Sequence, residues 1–316
     1  MNGRRLALLD VALLALMILA SRSALLLHEV AGHALPAKAL GAPDLSMRLS
    51  VFGGGTLQST PGWEPKGFGS FVFHLGGIFV NLATGAAAWF IARRVLKRRG
   101  LLHAFLLFLG AGSFGQAIFY LGNGFYYGEG DPEGFTALGL SLERLRWLWV
   151  AMVPAFGAAA ALAARAWLDY LGGHAPVDTP GRRFGWTAAT LGAVLAAYAG
   201  LWALTWNSEV DVTLSRRRLE REVARETVRR QTAPPPPVSA TPSPPPAPVV
   251  TEAEVADRVP RPVASLAMLA AGLLGAALVL IRARPSTTPV DFPPASIALP
   301  TALAAVTVGI IILMGR

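Results

Sequence analysis

Seven apolar blocks, at residues 6–35, 69–92, 101–121, 145–170, 184–206, 263–281 and 296–313, leave this chain few folds to choose from. A helix needs about 20 apolar residues to cross the hydrocarbon core of a bilayer, and a helix satisfies its backbone hydrogen bonds without water. The blocks are continuously apolar rather than amphipathic, and the hydrophobic share of the whole chain is 53%. The expected class is therefore all-α: a polytopic transmembrane helical bundle of about seven spans.

The first block is longer than one crossing requires, so it must tilt, kink near Ser21-Arg22-Ser23 or project from the membrane. It is also too long for a signal-peptide core and lacks a small-residue cleavage site, which predicts a retained helix. The formal net charge is +9, but the arginines and lysines stand mainly in loops beside apolar spans. That placement fits orientation signals and contacts with anionic membrane lipid, not nucleic acid, and no zinc-finger, RNA-binding or phosphate-loop pattern is present. Cysteine is absent, so any transition metal must be held by His, Asp or Glu.

Within the first block stands Leu25-Leu26-Leu27-His28-Glu29-Val30-Ala31-Gly32-His33-Ala34-Leu35. Titratable groups are costly at membrane depth and mark functional sites there. A His-Glu pair followed by a second His is the ligand, base and ligand grouping of zinc hydrolases: neutral imidazoles bind the metal and the carboxylate handles the proton of a water. The usual spacing is four residues, which returns both imidazoles to one helix face, whereas His28 and His33 stand five apart. On a regular α-helix five steps leave them roughly 140° apart. A π-bulge, eased by Gly32, would bring them together. Two interface histidines without a metal are the alternative on these residues alone.

Residues 45–52 alternate and run into Gly53-Gly54-Gly55-Thr56, the pattern of a short strand and tight turn. Beside a catalytic centre such a strand could pair with an extended peptide, although a polar loop fits the same residues. The second span carries Gly76-Gly77 and Asn81, small residues for close helix contact and an amide that needs a partner in lipid. His74 in the same span reads either as a spare ligand or as a histidine bonded to neighbouring backbone. The third span exits through 122–133, where Asp131, Glu129 and Glu133 each offer a third ligand. Hairpin geometry puts His28, His33, Asn81 and this exit at one depth.

These elements together resemble the site-2 protease family of intramembrane zinc metalloproteases, in its compact branch without an inserted peptide-binding domain. In that family a His-Glu-x-x-His helix is followed by a glycine-rich segment, a Gly-x-x-x-Asn helix, and an Asn eight residues before a ligand Asp. Here Gly77 to Asn81 and Asn123 to Asp131 match the second and third motifs, and residues 33–42 resemble the segment that begins at the family's second histidine. The resemblance covers about residues 24–135. It departs from the family in the extra residue before His33, and in Tyr126 and Pro132 where Pro and Gly are common.

The resemblance implies Zn2+ held by His28, His33 and Asp131, Glu29 as general base, and Asn81 holding substrate backbone or the developing oxyanion. It implies further that Gly54, Gly55, Gly77 and Asn123 lie along the substrate, a transmembrane segment of another protein, with the strand-bearing segment close to the active site. The expected location is the cytoplasmic membrane of a bacterium. A catalytically silent relative that scaffolds membrane helices is the other reading. A di-iron desaturase is excluded, since five histidines and no His-His pair cannot supply its histidine boxes.

The organisation read from the chain is a three-span core at 1–140, two accessory spans at 141–206, a polar insertion at 207–262 and two last spans at 263–316. Trp147, Trp149, Trp167 and Trp206 stand near span ends, as interface anchors do. The insertion opens with an Arg-rich stretch of helix-forming composition that predicts a helix on a membrane surface, and continues from Pro234 to Pro248 as an extended tether. Short-loop charge puts the N-terminus in the cytoplasm and the site on the outer side. The resemblance and the nine arginines of the insertion put the site toward the cytoplasm instead, and that is the orientation expected.

Overall fold

The computed structural model describes residues 3–52, 54–59, 63, 65–96, 100–127, 130–172, 175–205, 223, 263–283 and 298–314. Apart from Val223, the expected surface helix and the proline-rich tether of the insertion lie outside the described residues, as does Trp206.

The fold is a bundle of membrane-length helices with one small sheet. Helix α1 (Gly3–Leu27) passes through a π-helical turn (His28–Ala34) into the short α2 (Leu35–Ala39). Strands β1 (Ser46–Leu49) and β2 (Gly55–Gln58) come next, then α3 (Phe68–Phe90) and α4 (Leu101–Tyr127). A 3-10 segment (Asp131–Leu138) leads to α5 (Leu142–Leu171). Helices α6 (Pro180–Thr187) and α7 (Ala193–Thr205), joined by a π turn, form one rod, and α8 (Val263–Arg282) and α9 (Ala298–Met314) complete the described chain.

Six helical runs are long and apolar enough to cross a membrane: Leu6–Ala39, Phe68–Val95, Leu101–Tyr126, Arg144–Leu171, Pro180–Thr205 and Ser265–Arg282. The seventh expected span is helical as α9, whose 17 residues sit at the short limit for a crossing. Outward-facing Leu204 and Leu273, 85% and 74% exposed, carry the apolar surface that lipid would cover. Trp167, expected as an interface anchor, is instead a core residue at 5% exposure, packed on Phe108 and Tyr170.

The first span does not kink at Ser21-Arg22-Ser23; α1 is regular there, and its irregularity is the π turn at its end. Arg22 is buried by donation to the Ser50 and Phe52 carbonyls, at 3.0 and 3.3 Å, and to the Tyr198 hydroxyl at 3.1 Å. A guanidinium has donors enough to satisfy several carbonyls, and each such bond to a charged group is stronger than a neutral one. One side chain thereby ties the hairpin turn to α1 and α7.

The two strands pair antiparallel, Ser46 opposite Gln58 and Leu49 opposite Gly55, and the Ser50 amide donates to the Gly54 carbonyl at 2.9 Å. The expected strand and glycine turn are thus a hairpin. Leu25 and Leu49 form a buried contact that fixes its underside to α1.

The main core joins the N-terminal half of α1 (Leu9, Leu13, Leu16), the C-terminal end of α3 (Ala88) and the N-terminal half of α4 (Ala104, Leu107) to Tyr170 and Leu171 of α5. Close approach is set by small residues: a Cβ on Gly85 of α3 would stand 3.0 Å from the Phe114 ring of α4, and one on Gly275 of α8 would run into the Gly157 carbonyl of α5. Because α1, α3 and α4 alternate in direction, the end of α1, the start of α3 and the end of α4 share the membrane level opposite this core.

Candidate metal centre

The π turn is where the site is made. Its wider turn places His28 and His33, five residues apart, with Nε2 atoms 3.2 Å from each other. Gly32 lies between them and packs on the backbone of Gly76 and Gly77, so closely that a Cβ on Gly32 would meet Gly77 Cα. Gly77 in turn faces the imidazoles: a Cβ there would be 2.5 Å from His28 Nε2 and 2.6 Å from His33 Nε2. The three glycines let α3 lie against the π turn, and the space a methyl would fill belongs to the two rings.

Asp131, at the head of the 3-10 segment, completes the group. Its Oδ2 is 3.4 Å from His28 Nε2 and its Oδ1 is 3.6 Å from His33 Nε2. Zinc bonds of 2.0–2.1 Å in a tetrahedron put neighbouring ligand atoms about 3.4 Å apart. The His28–His33 and His28–Asp131 separations lie near that value, and the 3.6 Å contact to His33 is made by the other carboxylate oxygen. One ligand atom from each residue stands within 4.8 Å of the others, so the donor set is compatible with a single ion. Asp131 Oδ2 is buried without a hydrogen-bond partner, as a ligand atom would be in the absence of an ion. His28, His33 and Asp131 are the possible metal-holding group of His, Cys, Asp and Glu side chains among the described residues.

His33 is fixed from behind, since its Nδ1–H donates to the Phe73 carbonyl at 2.7 Å and leaves Nε2 as the lone-pair nitrogen. Behind His28 stands Asn81, fully buried, with its amide nitrogen 3.0 Å from His28 Nδ1. Glu29 is buried beside the group, and β2 begins against it: a Cβ on Gly55 would be 2.7 Å from Glu29 Oε1.

The remaining expected residues are spread around this centre. Gly54 closes the hairpin turn through its carbonyl. Asn123 accepts a hydrogen bond from Ser265 Oγ of α8 at 2.8 Å, which links α4 to α8. His74 is outside the metal group and packs beside Phe73, with Gly134 of the 3-10 segment against its Cβ. Glu129 and the side chain of Glu133 lie outside the described residues.

Two neighbours were not singled out from sequence as part of the site. Tyr120 of α4 sets its ring edge-on to His28 at a centroid distance of 5.9 Å. Arg22 braces the hairpin that covers Glu29. An arginine inside an apolar span is itself a signal of function and could have flagged the second; an aromatic in an aromatic-rich helix carries no such signal.

Comparison with protein-family models, with curated proteins and with solved structures finds no match to this chain.

Proposed function

We propose that this chain is an intramembrane zinc metalloprotease of site-2 protease type, hydrolysing peptide bonds in or near a transmembrane segment of a membrane-protein substrate. The observation that carries the reading is the His28–His33–Asp131 group, whose ligand atoms lie within 4.8 Å of one another, with a glutamate next to it, at the end of a membrane-length helix. A bound zinc would supply Lewis-acid polarisation of the scissile carbonyl and acidify a water.

The chain's own groups supply the rest. Glu29, next to a ligand histidine and buried, accepts the proton of the attacking water and returns it to the leaving amine. The missing side chain at Gly55 lets the hairpin backbone come up against the carboxylate, which a Cβ there would meet at 2.7 Å. A substrate segment unwound into an extended strand would reach Glu29 along that hairpin, since a peptide in helical form hides its backbone from attack.

The test pairs zinc content with turnover in detergent-purified protein. Wild type and Glu29→Gln should both hold one zinc, and only wild type should cleave a model transmembrane substrate. His33→Ala should lose zinc and cleavage together. Zinc in wild type without cleavage would favour a silent scaffold; no zinc in any of the three would sink the metal site as well.

A further inference from the structure

Asn81 stands where the sequence leads one to expect a group for the substrate or the oxyanion, yet its surroundings serve the metal side. It is fully buried, and its carboxamide meets Nδ1 of His28, the ring nitrogen that points away from Asp131 and His33. A group pinned behind the imidazole does not reach the carbonyl of a peptide in front of it.

We propose that Asn81 is a positioning residue that sets the tautomer of His28, with its Oδ1 accepting the Nδ1–H so that Nε2 presents a lone pair to the ion. The inference rests on the metal site proposed above and concerns only how the chain prepares it. Metal binding through Nε2 requires the proton on Nδ1, and a proton buried on Nδ1 requires an acceptor. His33 meets that requirement with the Phe73 carbonyl at 2.7 Å. For His28 the side chain within reach of Nδ1 is Asn81, whose Nδ2 stands 3.0 Å away beside the Gly77 backbone that also bonds the ring. Of the two ends of the amide only Oδ1, brought there by a half-turn, accepts.

The amide orientation in the structure, with Nδ2 toward Nδ1, leaves Oδ1 buried with no partner. It also places the imidazole proton on Nε2, where it faces Asp131 Oδ2 at 3.4 Å. That arrangement suits the metal-free group. A half-turn of the amide, which changes its shape hardly at all, converts the pair to the metal-binding form. An asparagine serves both forms because it carries one donor end and one acceptor end, whereas a backbone carbonyl could serve only one.

The experiment measures zinc affinity by competition with a chromogenic chelator on detergent-purified wild type, Asn81→Leu and Asn81→Asp. Side-chain 15N shifts of histidine-labelled zinc-loaded wild type are recorded beside it. Leu fills nearly the same volume without an acceptor, and Asp keeps the acceptor. The expected result is a zinc affinity lowered about 10- to 100-fold in Asn81→Leu and restored to within a few-fold of wild type in Asn81→Asp. The 15N shifts should show Nδ1 protonated and Nε2 metallated at His28.

Wild-type zinc affinity in Asn81→Leu, with or without loss of turnover, overturns the proposal, and loss of turnover alone returns Asn81 to the oxyanion. An aggregated Asn81→Leu does not rescue it, because weak zinc binding by folded Asn81→Asp, or metallation of His28 through Nδ1, overturns it independently. Zinc bound as expected without peptide cleavage by wild type defeats the protease reading and leaves this inference standing. A wild type that binds no zinc overturns both.

Discussion

His28 and His33 are five positions apart in the chain, yet their Nε2 atoms stand 3.2 Å apart across a single π-helical turn. One residue more than an α-turn is absorbed between them, and Gly32, backed by Gly76 and Gly77, allows the wider backbone to sit against α3. The relation makes the spacing a property of the turn rather than a lost motif. We predict that deleting Ala31 converts the π turn to α-helix and leaves His28 and His33 four apart on the same face, with zinc stoichiometry retained. Zinc content of the deletion variant checks this; a metal-free, folded variant would contradict it.

Gly77 should be the least replaceable glycine of the site. A methyl there enters the space of both imidazoles. Gly77→Ala is expected to lose stoichiometric zinc and about 1–3 kcal/mol of stability, the usual range for overpacking a close contact. Elemental analysis with thermal unfolding in detergent reads both effects. Ordinary zinc content in that variant would mean the rings have more room than the contacts allow.

Gly55 should separate catalysis from metal binding. Its Cα faces Glu29, whose Oε1 would be 2.7 Å from an added Cβ, while the three ligand side chains lie elsewhere. Gly55→Val is predicted to keep zinc and to lower kcat by tenfold or more, because the carboxylate must move from the path of its proton. If kcat is unchanged while KM rises, Gly55 guides substrate and leaves the carboxylate alone.

Much of this centre was legible in the chain because local order carried it. Apolar block length forecast the spans, the five-residue interval with Gly32 forecast a π turn, and alternation into glycines forecast the hairpin. Asp131 could be named as third ligand only alongside Glu129 and Glu133, since spacing does not say which carboxylate turns inward. What was not legible depends on contacts between distant residues. Arg22 read as a possible kink because nothing local reveals that its guanidinium reaches Ser50, Phe52 and Tyr198. Trp167 read as an interface anchor because position along a span does not give the face it presents, and that face points into the core. Asn81 could be placed at the right depth, but which side of His28 it meets is set by how α3 leans on the π turn.

The hairpin should be the part of the site that Arg22 governs. Arg22→Met removes donors from two carbonyls and the Tyr198 hydroxyl, and buried hydrogen bonds to a charged group are worth about 1.5–3 kcal/mol each. Amides of residues 46–58 are predicted to exchange with deuterium at least tenfold faster in the variant, with zinc content unchanged. Unchanged exchange would mean that the Leu25–Leu49 contact alone holds the hairpin.

The ligand set spans separate parts of the chain, the π turn after α1 and the 3-10 segment after α4, and this gives metal removal a structural readout. An ion bound only by the folded state stabilises it by RT ln(1 + [L]/Kd), about 4 kcal/mol when free zinc is a thousand times Kd. Chelation should therefore lower the Tm of wild type in detergent, and added zinc should restore it. Asp131→Asn keeps the size of the side chain but replaces the anionic ligand, so its Tm should respond little to either treatment. Glu29→Gln leaves all three ligands in place and should behave as wild type in the same assay. A wild-type Tm indifferent to chelator and to zinc would show that no ion joins the two segments, whatever their spacing. A shift of equal size in Asp131→Asn would place the ion on other side chains.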